Sequence, residues 1–412
     1  MGVTIKYIDV KGVQIPLIFE EQKTLPILNL QLVFQNSGYA QDKDKSGLAS
    51  LSSKLLNEGT KELGVTKFAE QLEENAISLN TSNGFETFVI ELSNLKEQSN
   101  KGINLLTQLL KSPNYSKSTL EKLKTIQTGA LKRKENDFDY VSSNQLKSIL
   151  FKNTALENPA SGTVESISKI KLKDIEKFIN QTICLENLII VAGGDYEINE
   201  FEKLVKPLLE TLNSGKKLEL DKINFISKKE EKELIKDTQQ AYIYFGSSFN
   251  VDSKDEENYK AKVASFILGG SGFGSRLMEE IRVKRGLAYS AYGSISINKS
   301  YSYFNGYLQT KNESANEAKQ LVSQLVEEFV NNGVTQEELI AAKNFLTGSE
   351  PLRSETLSQR LNRAFTLYYR GLESDYSIKE LEKIQNLELA DLNNYIKSHN
   401  EINNLTFSIV RK

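Results

Sequence analysis

The chain has 412 residues, with 52 Lys and Arg against 54 Asp and Glu and a formal net charge of −2 at pH 7. A single His, His399, cannot supply an H-E-x-x-H or H-x-x-E-H zinc pair, and a single Cys, Cys184, excludes an intramolecular disulfide framework and any C-x-x-C centre. The balanced charge argues against a broad nucleic-acid surface, because that affinity comes from clustered cations.

At 39% apolar and 26% charged residues the composition is that of a folded globular protein, and the length suits two to three domains. No segment reaches the roughly 20 apolar residues of a membrane span. Met1–Tyr7 lacks the basic and apolar stretches of a secretory leader, and Lys6 stands where an N-acylation motif needs Ser or Thr. A cytoplasmic location is the default expectation.

The first clear element is 28–37 (LNLQLVFQNS), which alternates like a strand and ends in a polar loop. A helix is predicted over 47–58 (GLASLSSKLLNE), closed by Gly59, and a strand over Phe85–Leu92 (FETFVIEL). KLKDIEKFIN (171–180) reads as a helix, followed by a strand at Asn187–Ala192 (NLIIVA). Asn213–Asp237 reads as a link, with the charge run Lys228–Glu233 solvated within it.

The second half repeats the plan. QAYIYFGSSF (240–249) is a strand, YKAKVASFIL (259–268) a helix closed by Gly269-Gly270, and Tyr301–Leu308 a strand. ELADLNNYIK (388–397) matches the helix at 171–180, and Asn404–Val410 (NLTFSIV) the strand after it, with offsets of about 211 to 217 positions throughout. Strands close together in sequence, then runs of helices, favour antiparallel pairing and an α+β class. The predicted fold is two homologous tandem domains, each an antiparallel-leaning sheet with helices packed on one face, over 1–215 and 238–412 with a linker at 216–237.

Three segments hold candidate chemistry. Gly269–Arg276 (GGSGFGSR) has the Gly269 to Gly274 spacing of a phosphate loop, but Ser275 occupies the Lys position and a helix precedes it. It reads as a flexible turn able to offer backbone amides. Arg282–Tyr292 (RVKRGLAYSAY) offers a forked guanidinium and a phenolic hydroxyl, suited to a carboxylate, a carbonyl or an oxyanion. On residue type alone, Arg282 is a surface charge and Tyr289 a strand residue. In the first helix, Ser50, Ser53 and Lys54 share one face, but S-x-x-K is absent, so an independent Ser–Lys hydrolase is the weakest reading. His399 reads as a helix-end residue.

Taken together, the repeat and these segments resemble the pitrilysin/insulinase-like metallopeptidases, or inverzincins, of the short two-repeat type that includes mitochondrial processing peptidase subunits and bacterial relatives. Active members read G-L-A-H-x-x-E-H-x-L-x-x-G-T. Gly47, Leu48, Ala49, Leu56, Gly59 and Thr60 keep that register, while Ser50, Ser53 and Lys54 replace the first His, the Glu and the second His. The third ligand of the family, a Glu on a later helix, falls by spacing near Gly129–Leu131, where no acid stands. Zinc needs imidazoles one turn apart and a carboxylate, and Lys54 puts a cation there instead. The second half carries the family's S-R-L-x-x-x-x-R-x-x-x-G-L-x-Y segment as Ser275-Arg276-Leu277, Arg282, Gly286-Leu287-Ala288-Tyr289.

The resemblance implies a peptide-binding role for Arg282 and Tyr289, and for Gly269, Gly270, Gly272 and Gly274, which resemble the glycine-rich loop of the non-catalytic processing-peptidase subunit. It implies no metal in this chain, and a zinc-bearing H-x-x-E-H partner. In that family two such units face each other across a chamber that holds an extended peptide as an added strand. The expected function is therefore a non-catalytic, substrate-binding subunit of a two-subunit zinc peptidase. The alternative is a catalytically dead homologue that binds peptides or serves as a structural assembly protein; a lone gene or a stable homodimer in place of the H-x-x-E-H partner favours it.

Overall fold

The computed structural model describes residues 2–412, and the chain divides into two compact units. The first comprises the stretch up to Lys132 with Asn158–Leu220 and Ser354–Thr366; the second comprises Arg133–Glu157, Asp221–Arg353 and Leu367–Lys412.

In the first unit, β1 (Thr4–Val10) and β2 (Val13–Glu21) form a hairpin. Its two-residue turn, Lys11-Gly12, has φ of 54° and 81°, the positive values that match the twist of the flanking strands. The strands β3 (Ile27–Gln35), β4 (Ser78–Asn83), β5 (Thr87–Leu95) and β6 (Leu188–Gly194) complete a six-stranded sheet in the order β1-β2-β6-β3-β5-β4. Only β2 and β6 pair in parallel. Alternation decides which face is buried: Leu28, Leu30, Leu32 and Phe34 of β3 all enter the core. The apolar run of β6 is buried throughout, as a central strand requires.

The helices in the first half of the chain are α1 (Leu48–Leu56), α2 (Gly64–Glu74), α3 (Ser99–Lys111), α4 (Lys117–Lys134), α5 (Phe138–Leu150), α6 (Val164–Lys169), α7 (Leu172–Thr182) and α8 (Ile198–Leu209), of which α5 belongs to the second unit. The start of α1 is fixed chemically. Gly47 sits at φ 92°, and the Asp42 carboxylate accepts the amides of Gly47 and Ala49, each at 2.8 Å. Burial pushes the Asp42 carboxyl up to about 7 against the pull of those amides.

The second unit repeats the sheet. Its strands β7 (Glu231–Ile235), β8 (Gln240–Ser248), β9 (Ala288–Ile297), β10 (Ser302–Lys311) and β11 (Thr406–Arg411) lie in the order β7-β11-β8-β10-β9, again with one parallel pair, β7 with β11. Strand for strand this is β2-β6-β3-β5-β4 over again, with β1 as an addition to the first sheet. The correction to the sequence reading is β7. Within the segment read as a linker, Glu231–Ile235 is an edge strand. It ladders to β11 on one side while its side chains stay mostly exposed, which is why its composition carries no strand signal.

The remaining helices are α9 (Asn258–Ser265), α10 (Ala315–Asn332), α11 (Gln336–Gly348), α12 (Leu357–Arg370), α13 (Tyr376–Gln385) and α14 (Leu389–Ser398). α9 runs on as a π-helical turn, Phe266–Gly270, and a second π-turn spans Met278–Val283. The sheet of this unit is covered on both faces. Ile243 and Phe245 of β8 join the core with α10, while Gly246 leaves room for Leu146 and Leu150 of α5 on the other side. His399 ends α14 and stacks near Phe249 and Tyr395, with Nδ1 2.8 Å from Glu401.

The Arg of the S-R-L segment is a packing residue. Arg276 donates Nε and Nη2 to the two Glu338 carboxylate oxygens at 2.6 and 2.7 Å, and Nη2 also to the Gly333 carbonyl at 2.7 Å. Arg276→Ala should cost roughly 2–4 kcal/mol in chemical denaturation, because the carboxylate and carbonyl lose a forked, half-buried donor. Burial would raise the Glu338 carboxyl, but Arg276 and Thr335 hold it below the usual carboxylate range. The stability it contributes is present above the unfolded carboxyl value and is lost as pH falls through the lower folded value. Arg276→Ala should therefore also flatten the acid limb of a stability–pH curve.

Candidate functional site

The segment in register with a zinc motif lies on α1. Ser53 Oγ lies 3.0 Å from the Ser50 carbonyl and 3.1 Å from Asn83 Oδ1, two acceptors for its one O–H. Lys54 Nζ donates to Gln127 Oε1 of α4. The Gln127 amide nitrogen lies 2.6 Å from the Ser161 carbonyl and 3.4 Å from Ser50 Oγ. Gln127 thus bridges positions 50 and 54, two residues before the stretch where spacing put a third ligand. The signal for it was available: Leu120, Leu123, Gln127 and Leu131 form the buried stripe of α4, and an amide on such a stripe needs partners.

These residues do not fit zinc. Two hydroxyls, an amide and an ammonium offer no imidazole and no carboxylate, and the ammonium occupies the cation's place. Among the described residues, no group of three or more His, Cys, Asp and Glu side chains is placed to hold a metal ion. Among the described residues, no helix is long and apolar enough to cross a membrane either.

The neighbouring sheet edge is β4. Asn57, just past α1, closes part of it: Asn57 Oδ1 accepts the Thr81 amide at 2.7 Å and its Nδ2 donates to the Thr81 carbonyl at 2.9 Å. Both groups point away from β5, where an added strand would pair. Asn57→Ala should speed amide exchange at Thr81 and cost about 1–2 kcal/mol, since one side chain satisfies two backbone groups. Unchanged exchange at Thr81 would show that the edge is not closed by Asn57.

In the second unit, Arg282 and Tyr289 lie together, and with them a third residue that sequence reasoning passed over. The Arg282 guanidinium lies 4.6 Å from the ring centre of Tyr289 and 4.6 Å from that of Phe273. Both rings are largely exposed, at 79% for Tyr289 and 67% for Phe273. Tyr289 stands near the start of β9, an edge strand. Farther along that edge, the Ile295 amide is taken by Ser265 Oγ at 2.9 Å, at the end of α9. Each repeat therefore uses a polar side chain at the end of its first helix to cover an outward amide of its edge strand.

The four glycines divide. Gly269 is buried against β9, where a Cβ would come within 2.5 Å of the Gly293 amide nitrogen. Its place is set by packing. Gly270 is exposed beside Ser265. Gly272 and Gly274, at φ 70° and 88°, flank Phe273 in a turn that L side chains rarely adopt.

Comparison with known proteins gives this geometry its context. A profile described as "Insulinase (Peptidase family M16)" matches residues 18–164, and one described as "Peptidase M16 inactive domain" matches residues 169–346. A Helicobacter pylori protein described as "Non-peptidase homolog YmxG" is 45% identical over 402 residues, covering 98% of this chain and 93% of its own.

The chain belongs to peptidase family M16.

A Bacillus subtilis member, "Uncharacterized zinc protease YmxG", is 21% identical over 358 residues, covering 87% of this chain and 86% of its own. A crystal structure of a peptidase M16 inactive domain from Pseudomonas fluorescens superposes with a TM-score of 0.89 at 22% identity, covering 99% of this chain and 98% of that one. At that identity the likeness shows the M16 fold. The two sheets described above, each with its helices, are the two M16 repeats of this chain.

Proposed function

We propose that this chain is a non-catalytic, substrate-binding subunit of a two-subunit zinc peptidase, which presents Arg282 and Tyr289 to an extended peptide while an H-x-x-E-H homologue holds the zinc. The observation that carries this reading is the contrast between the two repeats. In the first, the metal positions are filled by a closed network of Ser50, Ser53, Lys54 and Gln127. In the second, Arg282 and Tyr289 are brought together at the surface. A chain that had lost every tie to peptides would have no use for a half-buried guanidinium set against two exposed rings.

The test is peptide hydrolysis by the purified chain with and without an H-x-x-E-H homologue, and with and without a chelator. Chelator-sensitive turnover that appears only in the mixture supports a split site. Activity of the chain alone that survives chelation would overturn it. The description of the Helicobacter relative as a non-peptidase homologue favours a second reading, a pseudo-peptidase that binds peptides or serves assembly. Peptide binding without turnover in any mixture would favour that reading.

A further inference from the structure

A guanidinium carries five N–H donors in one plane. At Arg282 two aromatic rings, Phe273 and Tyr289, each lie with their centre 4.6 Å from the guanidinium carbon, and a ring face attracts the cation without accepting its in-plane N–H donors as a carboxylate would. Among the described residues, no side chain or carbonyl accepts from those N–H groups. The Glu280 carboxylate, two positions away, is already held by Lys284 and Arg285 at 2.5 and 2.6 Å. The Glu338 carboxylate is held by Arg276. An open fork of this kind is matched by a planar acceptor with two oxygens; a single carbonyl uses half of it.

Beside the donors, Phe273 and Tyr289 leave uncovered aromatic surface. Gly272 and Gly274 hold Phe273 in place through positive φ, so the third wall of this cradle is built by the turn itself.

We propose that the cradle takes the C-terminal carboxylate of a peptide whose last residue is apolar. An α-carboxylate has its own side chain on the adjacent carbon, so one residue can present two oxygens to Arg282 and an apolar group to the rings. An Asp or Glu side chain carries its acid beyond methylenes and leaves the rings bare. The proposal rests on the reading of this face as peptide-binding and adds the chemistry it selects.

The test is fluorescence anisotropy with the full chain and an N-terminally labelled decapeptide ending in Leu-Phe. The probe is used as the free acid, as the C-terminal amide, and as an amide with Glu in place of the Leu. The free acid should bind about 10-fold or more tighter than the amide, the size of a charge-assisted fork. Arg282→Gln should weaken the acid and abolish the difference, and Arg282→Lys should keep part of it. Phe273→Ala should weaken both forms about 5-fold, with circular dichroism unchanged. Equal binding of acid and amide overturns the carboxylate proposal and leaves the peptide reading standing. Binding of the Glu amide as tight as the free acid overturns the C-terminal source. Binding of no form overturns both.

Discussion

Three substitutions together, Ser50→His, Lys54→His and Gln127→Glu, should give this chain a zinc site. Positions 50 and 54 lie one turn apart on α1, so two imidazoles there share a face. Gln127 already reaches both, through its amide nitrogen to Ser50 and its oxygen to Lys54, so a carboxylate at 127 would complete a three-ligand set. Ser53→Glu is not needed for binding, because that position serves the water and not the metal. The expected result is about one zinc per chain after dialysis for the triple variant, and none held by the wild type, read by elemental analysis. Any two of the three should hold zinc at least about 10²-fold more weakly, since each ligand lost opens the shell. If the triple variant took up no zinc while remaining folded, Gln127 would not stand where the third ligand belongs.

The sequence made the repeat legible because it is carried by alternation and by helix-end glycines, both local signals. β3, β8, α7, α14 and the strands after them follow directly from period-two and period-3.6 patterns. What stayed hidden depends on partners far along the chain. β7 reads as a charge run because an exposed edge strand needs no apolar residues, and only its ladder to β11 reveals it. Gln127 lies on α4, 73 residues from Lys54, and its role appears only when the two helices meet. Phe273 reads as one residue in a glycine loop until its ring is seen against Arg282. Conversely, the segment that resembles the family most completely mixes two jobs: Arg276 is tied into an ion pair, whereas Arg282, six residues on, is not.

With an H-x-x-E-H partner present, Arg282→Ala should lower peptide turnover about 10²-fold, and Tyr289→Phe about 10-fold, while leaving thermal unfolding unchanged. The first effect is the larger because the guanidinium supplies charge and several donors, whereas the phenol loses one O–H. Neither side chain holds the fold together. Tyr289 is exposed, and Arg282 makes its described contacts with two exposed rings. Steady-state constants separate the possible roles. Loss confined to KM means the pair grips the ground-state peptide, and equal loss in kcat and kcat/KM means it acts on charge that develops during reaction. Arg282→Lys retains the charge without the fork, so an intermediate rate would assign the effect to geometry as well as charge. Unchanged turnover in both Arg282→Ala and Tyr289→Phe would remove the pair from the mechanism.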